Sequence, residues 1–225
     1  MKLIYFFLFL PFTVNAFTVD SMIKVSGKEN YFLVSGNSND REYLYITLSE
    51  LISDKNNRSH EMVFDASNAT TWPVVAEPAD VIVSAGEQVK IKIIKNYASS
   101  GNDRIFGVTF TPDVLDENSG KKYNLPLGYK SWFIVPGTDP VTGSPEVRKG
   151  ERAGNYIISN NTNKVMNVKI NYCSHPGEKD CTAQIITRPY SDKKVSLGNN
   201  VTSAEIDFYT VSGEQNTTPV KKIKL

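Results

Sequence analysis

Val81-Ile82-Val83-Ser84-Ala85-Gly86-Glu87-Gln88-Val89-Lys90-Ile91-Lys92-Ile93 decides the fold class. A β-branched run meets a turn at Ser84-Ala85-Gly86-Glu87. Val89, Ile91 and Ile93 then alternate with Lys90 and Lys92. Period-two alternation puts one face in an apolar core and the other in water, as in a half-buried strand; a helix would space its apolar residues three or four apart. The same grammar runs outward on both sides. Residues 31–34 form a short strand closed by Ser35-Gly36-Asn37, and residues 43–48 alternate through Leu44, Ile46 and Leu48. Phe17, Val19, Ile23 and Val25 share one parity, as on one face of a single strand. Residues 54–60 read as a polar loop, 72–76 as extended chain continued by Glu77-Pro78, and 104–111 as a strand. Residues 113–122 read as a second polar loop and 123–135 as one long extended segment.

Pro136-Gly137-Thr138-Asp139-Pro140 interrupts this pattern, and Pro, Gly and charged residues continue to Gly154. Strands are expected again at 155–159, 165–173, 183–188, 194–197, 206–211 and 220–223. Short strands at such spacing predict an all-β chain of two packed β-sandwiches. The expected organisation is a leader over 1–16, a first domain over 17–136, a linker region over 137–154 and a second domain over 155–225.

The chain has 225 residues, 40% of them hydrophobic and 22% charged, which excludes a disordered or collagen-like protein. Twenty-five Lys plus Arg against 24 Asp plus Glu leave a net charge of +1. That balance offers no bulk attraction to nucleic acid or to an anionic membrane. At the N-terminus, Met1-Lys2 precedes an apolar run over 3–12, and Val14-Asn15-Ala16 ends in a small-residue site. This is the pattern of a secretory signal peptide cleaved after Ala16. The competing membrane anchor needs about 20 apolar residues, twice this run. Export permits disulfides. Cys173 and Cys181 enclose Ser-His-Pro-Gly-Glu-Lys-Asp, which reads as a hairpin stapled at its base. The alternative, a metal held by Cys173, His175 and Cys181, lacks a fourth ligand nearby.

Catalytic templates are missing. No phosphate-binding Gly loop, His-Glu-x-x-His or Gly-x-Ser-x-Gly occurs, and no cofactor is implied. His60 and His175 fall in loops. Asp113 and Asp116 sit in a charged loop with no apolar pocket to separate their pKa values. Five Asn-x-Ser/Thr sequons occur, at Asn57, Asn68, Asn160, Asn200 and Asn216. They matter only in a glycosylating source. The residues describe a binder rather than an enzyme.

The order of features resembles the periplasmic pilus-assembly chaperones of the chaperone–usher pathway, and within them the alternate branch that serves α-type fimbriae. The likeness rests on the 73–87 stretch (extended strand, Pro, apolar strand, Gly turn), the alternating 89–93, the strand 104–110 and the segment 123–136 ending at Pro136. The Cys173/Cys181 pair after an alternating strand adds to it. It implies two immunoglobulin-like domains, a periplasmic location, pilin subunits and an outer-membrane usher as partners, and no membrane insertion. It also implies donation of an edge strand to a pilin that lacks its own last strand. On this reading Tyr123, Leu125, Leu127 and Tyr129, which share one parity, are the donor side chains; otherwise they belong to a core-facing strand. Pro126 is tolerated on an edge. The same edge could pair two free copies. The better-known branch binds the subunit's terminal carboxylate with a first-strand Arg and a last-strand Lys. No first-strand Arg exists here. Lys130 stands near the expected place, and Lys24 is the nearest first-strand cation although its spacing to Gly27 departs from the family; either could instead be a solvated lysine. Two other readings share the export signal and β-rich composition. One is a secreted adhesin or carbohydrate-binding protein stacking sugars on Trp72, Trp132 and Tyr residues. The other is a pilin subunit with 17–25 as its donor extension.

Overall fold

The computed structural model describes residues 17–37, 41–56, 58–98, 100–113, 127–175, 178, 180–198, 201, 203–211 and 218–225. The N-terminal half contributes β1 (Thr18–Val19), β2 (Ile23–Val25), β3 (Tyr31–Ser35), β4 (Glu42–Ser53) and β5 (Ser59–Val63). It continues with β6 (Val74–Glu77), β7 (Asp80–Val83), β8 (Gln88–Lys95), β9 (Arg104–Pro112) and β10 (Tyr129–Val135). One sheet runs β1-β3-β8-β6. The other runs β2-β10-β9-β4-β5, with β7 also paired to β4.

The two sheets close on one core. Phe32, Val34, Ile91 and Ile93 from the first meet Leu44, Leu48, Phe106, Val108, Phe110 and Phe133 from the second. The alternation in 89–93 is the cause: Ile91 and Ile93 are buried while Lys90 and Lys92 face water. Each buried side chain of this size contributes roughly 1.5–3 kcal/mol relative to exposure. The turn before β8 depends on Gly86, whose φ of +76° is unfavourable for residues with a Cβ.

The first strand departs from its sequence reading. Residues 17–25 are not one strand. β1 pairs antiparallel with β3 in one sheet, whereas β2 pairs parallel with β10 in the other. The chain switches sheets at Asp20-Ser21-Met22. Asp20 carboxylate accepts the Leu33 amide at 3.1 Å and the Lys24 ammonium at 2.6 Å. Ser21 hydroxyl donates to the Ile23 carbonyl at 2.7 Å. Short polar side chains that satisfy nearby groups in this way compete with the ladder and end it. Phe17 and Val19 consequently face the first core, while Val25 packs elsewhere.

Three further differences are local. The 54–60 loop ends early, because Ser59 and His60 already belong to β5. A 3-10 helix occupies Ala66–Thr71, capped where Asp65 carboxylate accepts the Ser67 amide at 2.9 Å. The stretch 137–154 contains a strand, β11 (Glu146–Lys149).

The C-terminal half adds β12 (Asn155–Asn160), β13 (Met166–Asn171), β14 (Thr182–Thr187), β15 (Ser191–Ser196), β16 (Glu205–Thr210) and β17 (Lys221–Lys224). Its sheets run β11-β12-β15 and β14-β13-β16-β17. Ile158, Met166, Val168, Ile170, Ile206 and Phe208 fill the space between them. Cys173 and Cys181 are bonded to each other, with Cα atoms 5.0 Å apart, at the ends of β13 and β14 facing the connection. Both thiols are thereby used, so the metal reading of this loop falls. Asn160 is fully buried. Its amide nitrogen donates to the carbonyls of Lys164 (2.8 Å), Thr187 (3.3 Å) and Arg188 (2.9 Å). Among the described residues no helix is long and apolar enough to cross a membrane.

The halves meet through Ile105, Ile134, Val165 and Val211, flanked by Val25, Leu51, Trp132 and Ile186. A polar clamp lies beside this cluster. Asp103 carboxylate accepts the amides of Gly137 (2.7 Å) and Val165 (2.8 Å) and the Lys164 ammonium (3.2 Å). Lys164 also donates to the Gly137 carbonyl at 2.8 Å. Both charged side chains are almost wholly buried.

Candidate functional site

Side chains of neighbouring residues in a strand point to opposite faces. On β9 the core takes Phe106, Val108 and Phe110, so Ile105, Gly107 and Thr109 face outward. The register sets the outward face as rows. Thr47, Thr109 and Lys130 form one; Val63, Ser49, Gly107, Trp132 and Ile23 the next; Glu61, Leu51, Ile105, Ile134 and Val25 the last, against the C-terminal half. Trp132 and the apolar members of the last row pack against the C-terminal half.

Lys130 crosses the rows of that outward face. Its ammonium pairs with Glu61 carboxylate, and Ser49 hydroxyl donates to the same Glu61 oxygen. The ammonium also lies 5.3 Å from the centre of the Trp132 ring. Gly107 makes the crossing possible: a Cβ there would stand 2.9 Å from Lys130 Cε and also strike Ser49 Oγ. Lys130 holds the Glu61 carboxyl below the usual range, and the Ser49 hydroxyl adds to the effect. The pair is about one-third exposed, 35% for Lys130 and 30% for Glu61.

Lys24 is placed differently. It shares the parity of Phe133, its register partner, rather than that of the outward face that carries Lys130 and Trp132. Its ammonium is held by Asp20 and by the Tyr31 carbonyl, both at 2.6 Å, and sits 4.8 Å from the Tyr31 ring centre. The structure does not bring Lys24 and Lys130 together.

Of the four proposed donor side chains, Tyr123 and Leu125 lie outside the described residues. Leu127 is 55% exposed. Tyr129 faces the N-terminal core and meets Phe17 edge-on at 5.1 Å. The edge of β10 is the informative feature. On the side away from β9, its pairing with β2 begins at Trp132, where the Trp132 amide donates to the Met22 carbonyl at 2.8 Å. Ser131 hydroxyl adds a bond to the Ser21 carbonyl at 2.7 Å. Upstream of Ser131, among the described residues, that side of β10 has no strand beside it, because the switch at Asp20–Met22 has taken β1 into the other sheet.

The two Trp residues do not share a sugar-stacking face. Trp72 packs on Phe64 at 5.7 Å and donates to the Asp65 carbonyl, whereas Trp132 belongs to the junction between the halves. His60 is exposed on β5, and His175 lies beside Glu178 in an exposed loop. Asp113 accepts from Tyr45 at 3.2 Å; Asp116 lies outside the described residues. Ser49, Glu61 and Gly107 were not singled out from sequence. Glu61 follows directly on a stretch read as loop, and only knowledge of β5 places it beside Lys130. Chemically, the site offers two hydrogen-bond donors converging on a carboxylate on the outward face of the sheet.

The family described as the CS5 fimbrial protein N-terminal domain matches residues 19–136. An Escherichia coli protein described as an uncharacterized 25.9 kDa protein in the CS5 3' region is 52% identical over 223 residues, 99% of this chain and 100% of its own. Among solved structures, the class 5 fimbriae chaperone CfaA aligns with a TM-score of 0.55 at 16% identity, covering 93% of this chain and 97% of its own. The SafB chaperone–SafA pilin complex of Salmonella enterica gives 0.54 at 15% identity, over 95% and 97%. The E. coli chaperone DraB gives 0.52 at 10%, over 94% and 98%. At these identities the structural likeness establishes the fold, that of two-domain, immunoglobulin-like fimbrial chaperones.

Proposed function

The chain belongs to the CS5 fimbrial protein N-terminal domain family, and from that premise we propose that it is a periplasmic chaperone for fimbrial subunits. It captures a subunit by lending the strand that leads into β10, anchors the subunit's chain end at Lys130, and delivers it to an outer-membrane usher. The observation that carries this reading is the side of β10 that, among the described residues, has no strand beside it upstream of Ser131. A strand with free backbone groups on one side adds to an incomplete sheet through main-chain hydrogen bonds, while alternate side chains fill its groove. Leu125 and Leu127 are the apolar members of that set, and each buried Leu contributes roughly 1.5–3 kcal/mol before ordering costs. Export by the 1–16 leader and a mature start at Phe17 belong to the same reading. So does the division into domains over 17–136 and 155–225. The work needs no catalysis and no cofactor, since release follows when the next subunit supplies its own strand.

The test is co-expression with a fimbrial subunit of the CS5 type, followed by co-purification. A Leu125→Asp, Leu127→Asp double variant places charge in an apolar groove and abolishes the complex. The free variant stays folded, because Leu127 is already exposed. A variant that unfolds while its residual folded fraction still captures subunit would show those leucines to be core and the lent strand to lie elsewhere.

A further inference from the structure

We propose that Ser49 and Lys130 together form the carboxylate-binding site, and that Glu61 fills it with its own carboxylate until a client's chain end takes its place. The inference rests on the chaperone reading above and supplies the second donor which that reading lacks. Lys24 cannot be that donor in this arrangement: its ammonium is committed to Asp20 and the Tyr31 carbonyl, and its parity differs from that of Lys130. Ser49 hydroxyl already converges with the Lys130 ammonium on one carboxylate oxygen, that of Glu61. A carboxylate with two such donors is the arrangement expected of a bound chain end.

Glu61 is suited to leaving. It sits on β5, an edge strand whose five residues are all exposed. Turning its side chain outward returns the carboxylate to water and leaves no buried charge behind. The floor stays in place, because Gly107 continues to give Lys130 room to lie across the sheet. Exchange of one carboxylate for another conserves charge at the site. An amide, which carries no charge, would lose that exchange, since the ammonium prefers the charged partner. Glu61 therefore sets both the selectivity of the anchor and the ease of its reversal. The occupant is a chain-terminal α-carboxylate presented beside the lent strand, because Lys130 is the second residue of β10, directly downstream of that strand.

Acetate is the probe, followed by backbone amide NMR of the full mature chain. Glu61→Ala is expected to bind acetate up to about fivefold more tightly than the wild type, with shifts at Ser49, Gly107 and Lys130. Adding Ser49→Ala weakens that binding, adding Lys130→Met abolishes it, and acetamide produces no shifts. Equal acetate affinity in Glu61→Ala and wild type, or shifts confined to other lysines, overturns the proposal. Should Glu61→Ala fold poorly, Glu61→Gln carries the test. Lys130 then acetylates faster than in the wild type, as read by peptide mass spectrometry, and acetate protects it; unchanged reactivity overturns the proposal. With a subunit as ligand, Glu61→Gln slows release severalfold. Extending the subunit by Gly residues at its C-terminus removes the gain; a gain that survives the extension assigns the site to a side-chain carboxylate and overturns the chain-end assignment. If the acetate site forms but Lys130→Ala captures subunits normally, the carboxylate site stands and its role in the chaperone reading falls.

Discussion

Replacing Asp103 with Ala removes the centre of the clamp between the halves. Three donors point at this carboxylate: the Gly137 amide, the Val165 amide and the Lys164 ammonium. Breaking a buried ion pair by deleting one member costs about 3–5 kcal/mol, because the remaining charge stays buried. The two orphaned amides push the loss of Asp103→Ala towards the upper end of that range. Lys164→Met is milder. Asp103 then keeps both amide donors, each charge-assisted bond to it worth about 1.5–3 kcal/mol. The structure thus predicts an order, Asp103→Ala worse than Lys164→Met. It also predicts that the double variant is no less stable than Asp103→Ala alone, since the stranded ammonium is gone. The chain's two tryptophans make this measurable, because Trp132 lies in the junction cluster and Trp72 in the N-terminal sandwich. In a Trp72→Phe background, fluorescence reports the junction and far-ultraviolet circular dichroism the sheets. Urea titration of Asp103→Ala should separate the two curves, with fluorescence changing first. Coincident curves displaced by less than about 1 kcal/mol, or a larger loss for Lys164→Met, would refute the reasoning about buried charge.

The Glu61 carboxyl, held low chiefly by Lys130, should titrate below the ordinary 4.5 in carboxyl-carbon NMR, and Lys130→Met should raise its midpoint. Because the folded value is the depressed one, the stability it contributes is complete above the range of free glutamate. It is lost as pH falls through the lower folded value; a midpoint unmoved by Lys130→Met contradicts this. The Phe17 nitrogen donates to Glu42 carboxylate at 3.1 Å, so in a chain that begins at Phe17 this contact joins an ammonium to a carboxylate. Glu42→Gln should then destabilise that chain by about 1.5–3 kcal/mol, and much less once the amine is acetylated; equal losses in urea titration count against it. A Cys173→Ser, Cys181→Ser variant should lose about 2–3 kcal/mol by the loop-entropy estimate, read as a lower thermal midpoint, and an unchanged midpoint would show the staple to be idle.

The legible parts of the fold were those with a local cause. Alternation in 89–93 placed Ile91 and Ile93 in the core, and the cysteine pair could be read from an eight-residue separation. The illegible parts depended on partners far along the chain. One parity over Phe17, Val19, Ile23 and Val25 reads as one strand, yet the Leu33 amide turns Asp20 into a break, and Leu33 is thirteen residues away. β11 carries no alternating signal, because Glu146, Arg148 and Lys149 are charged and only Val147 packs inward on the C-terminal core. The same division holds at the site. Only the family resemblance points to Lys130, through its place before Pro136. Its partner Glu61 is 69 residues away, and Asp103 and Lys164 are 61 apart, with no spacing rule joining either pair.

Asn160 has a practical consequence for making this protein. It stands in an Asn-x-Thr sequon, and its side chain is enclosed by the carbonyls of Lys164, Thr187 and Arg188. In a eukaryotic secretory host, oligosaccharide is attached to the nascent chain before β13 and β14 have closed around that amide. A glycan there occupies the nitrogen that makes all three bonds and is far too large for the space. Yeast or mammalian secretion would accordingly yield a C-terminal half unable to shut, whereas Asn68, exposed on the 3-10 helix, would carry the same modification harmlessly. Thr162→Ala removes the tag but also the hydroxyl that donates to Asn160 at 2.6 Å, so bacterial export is the cleaner source.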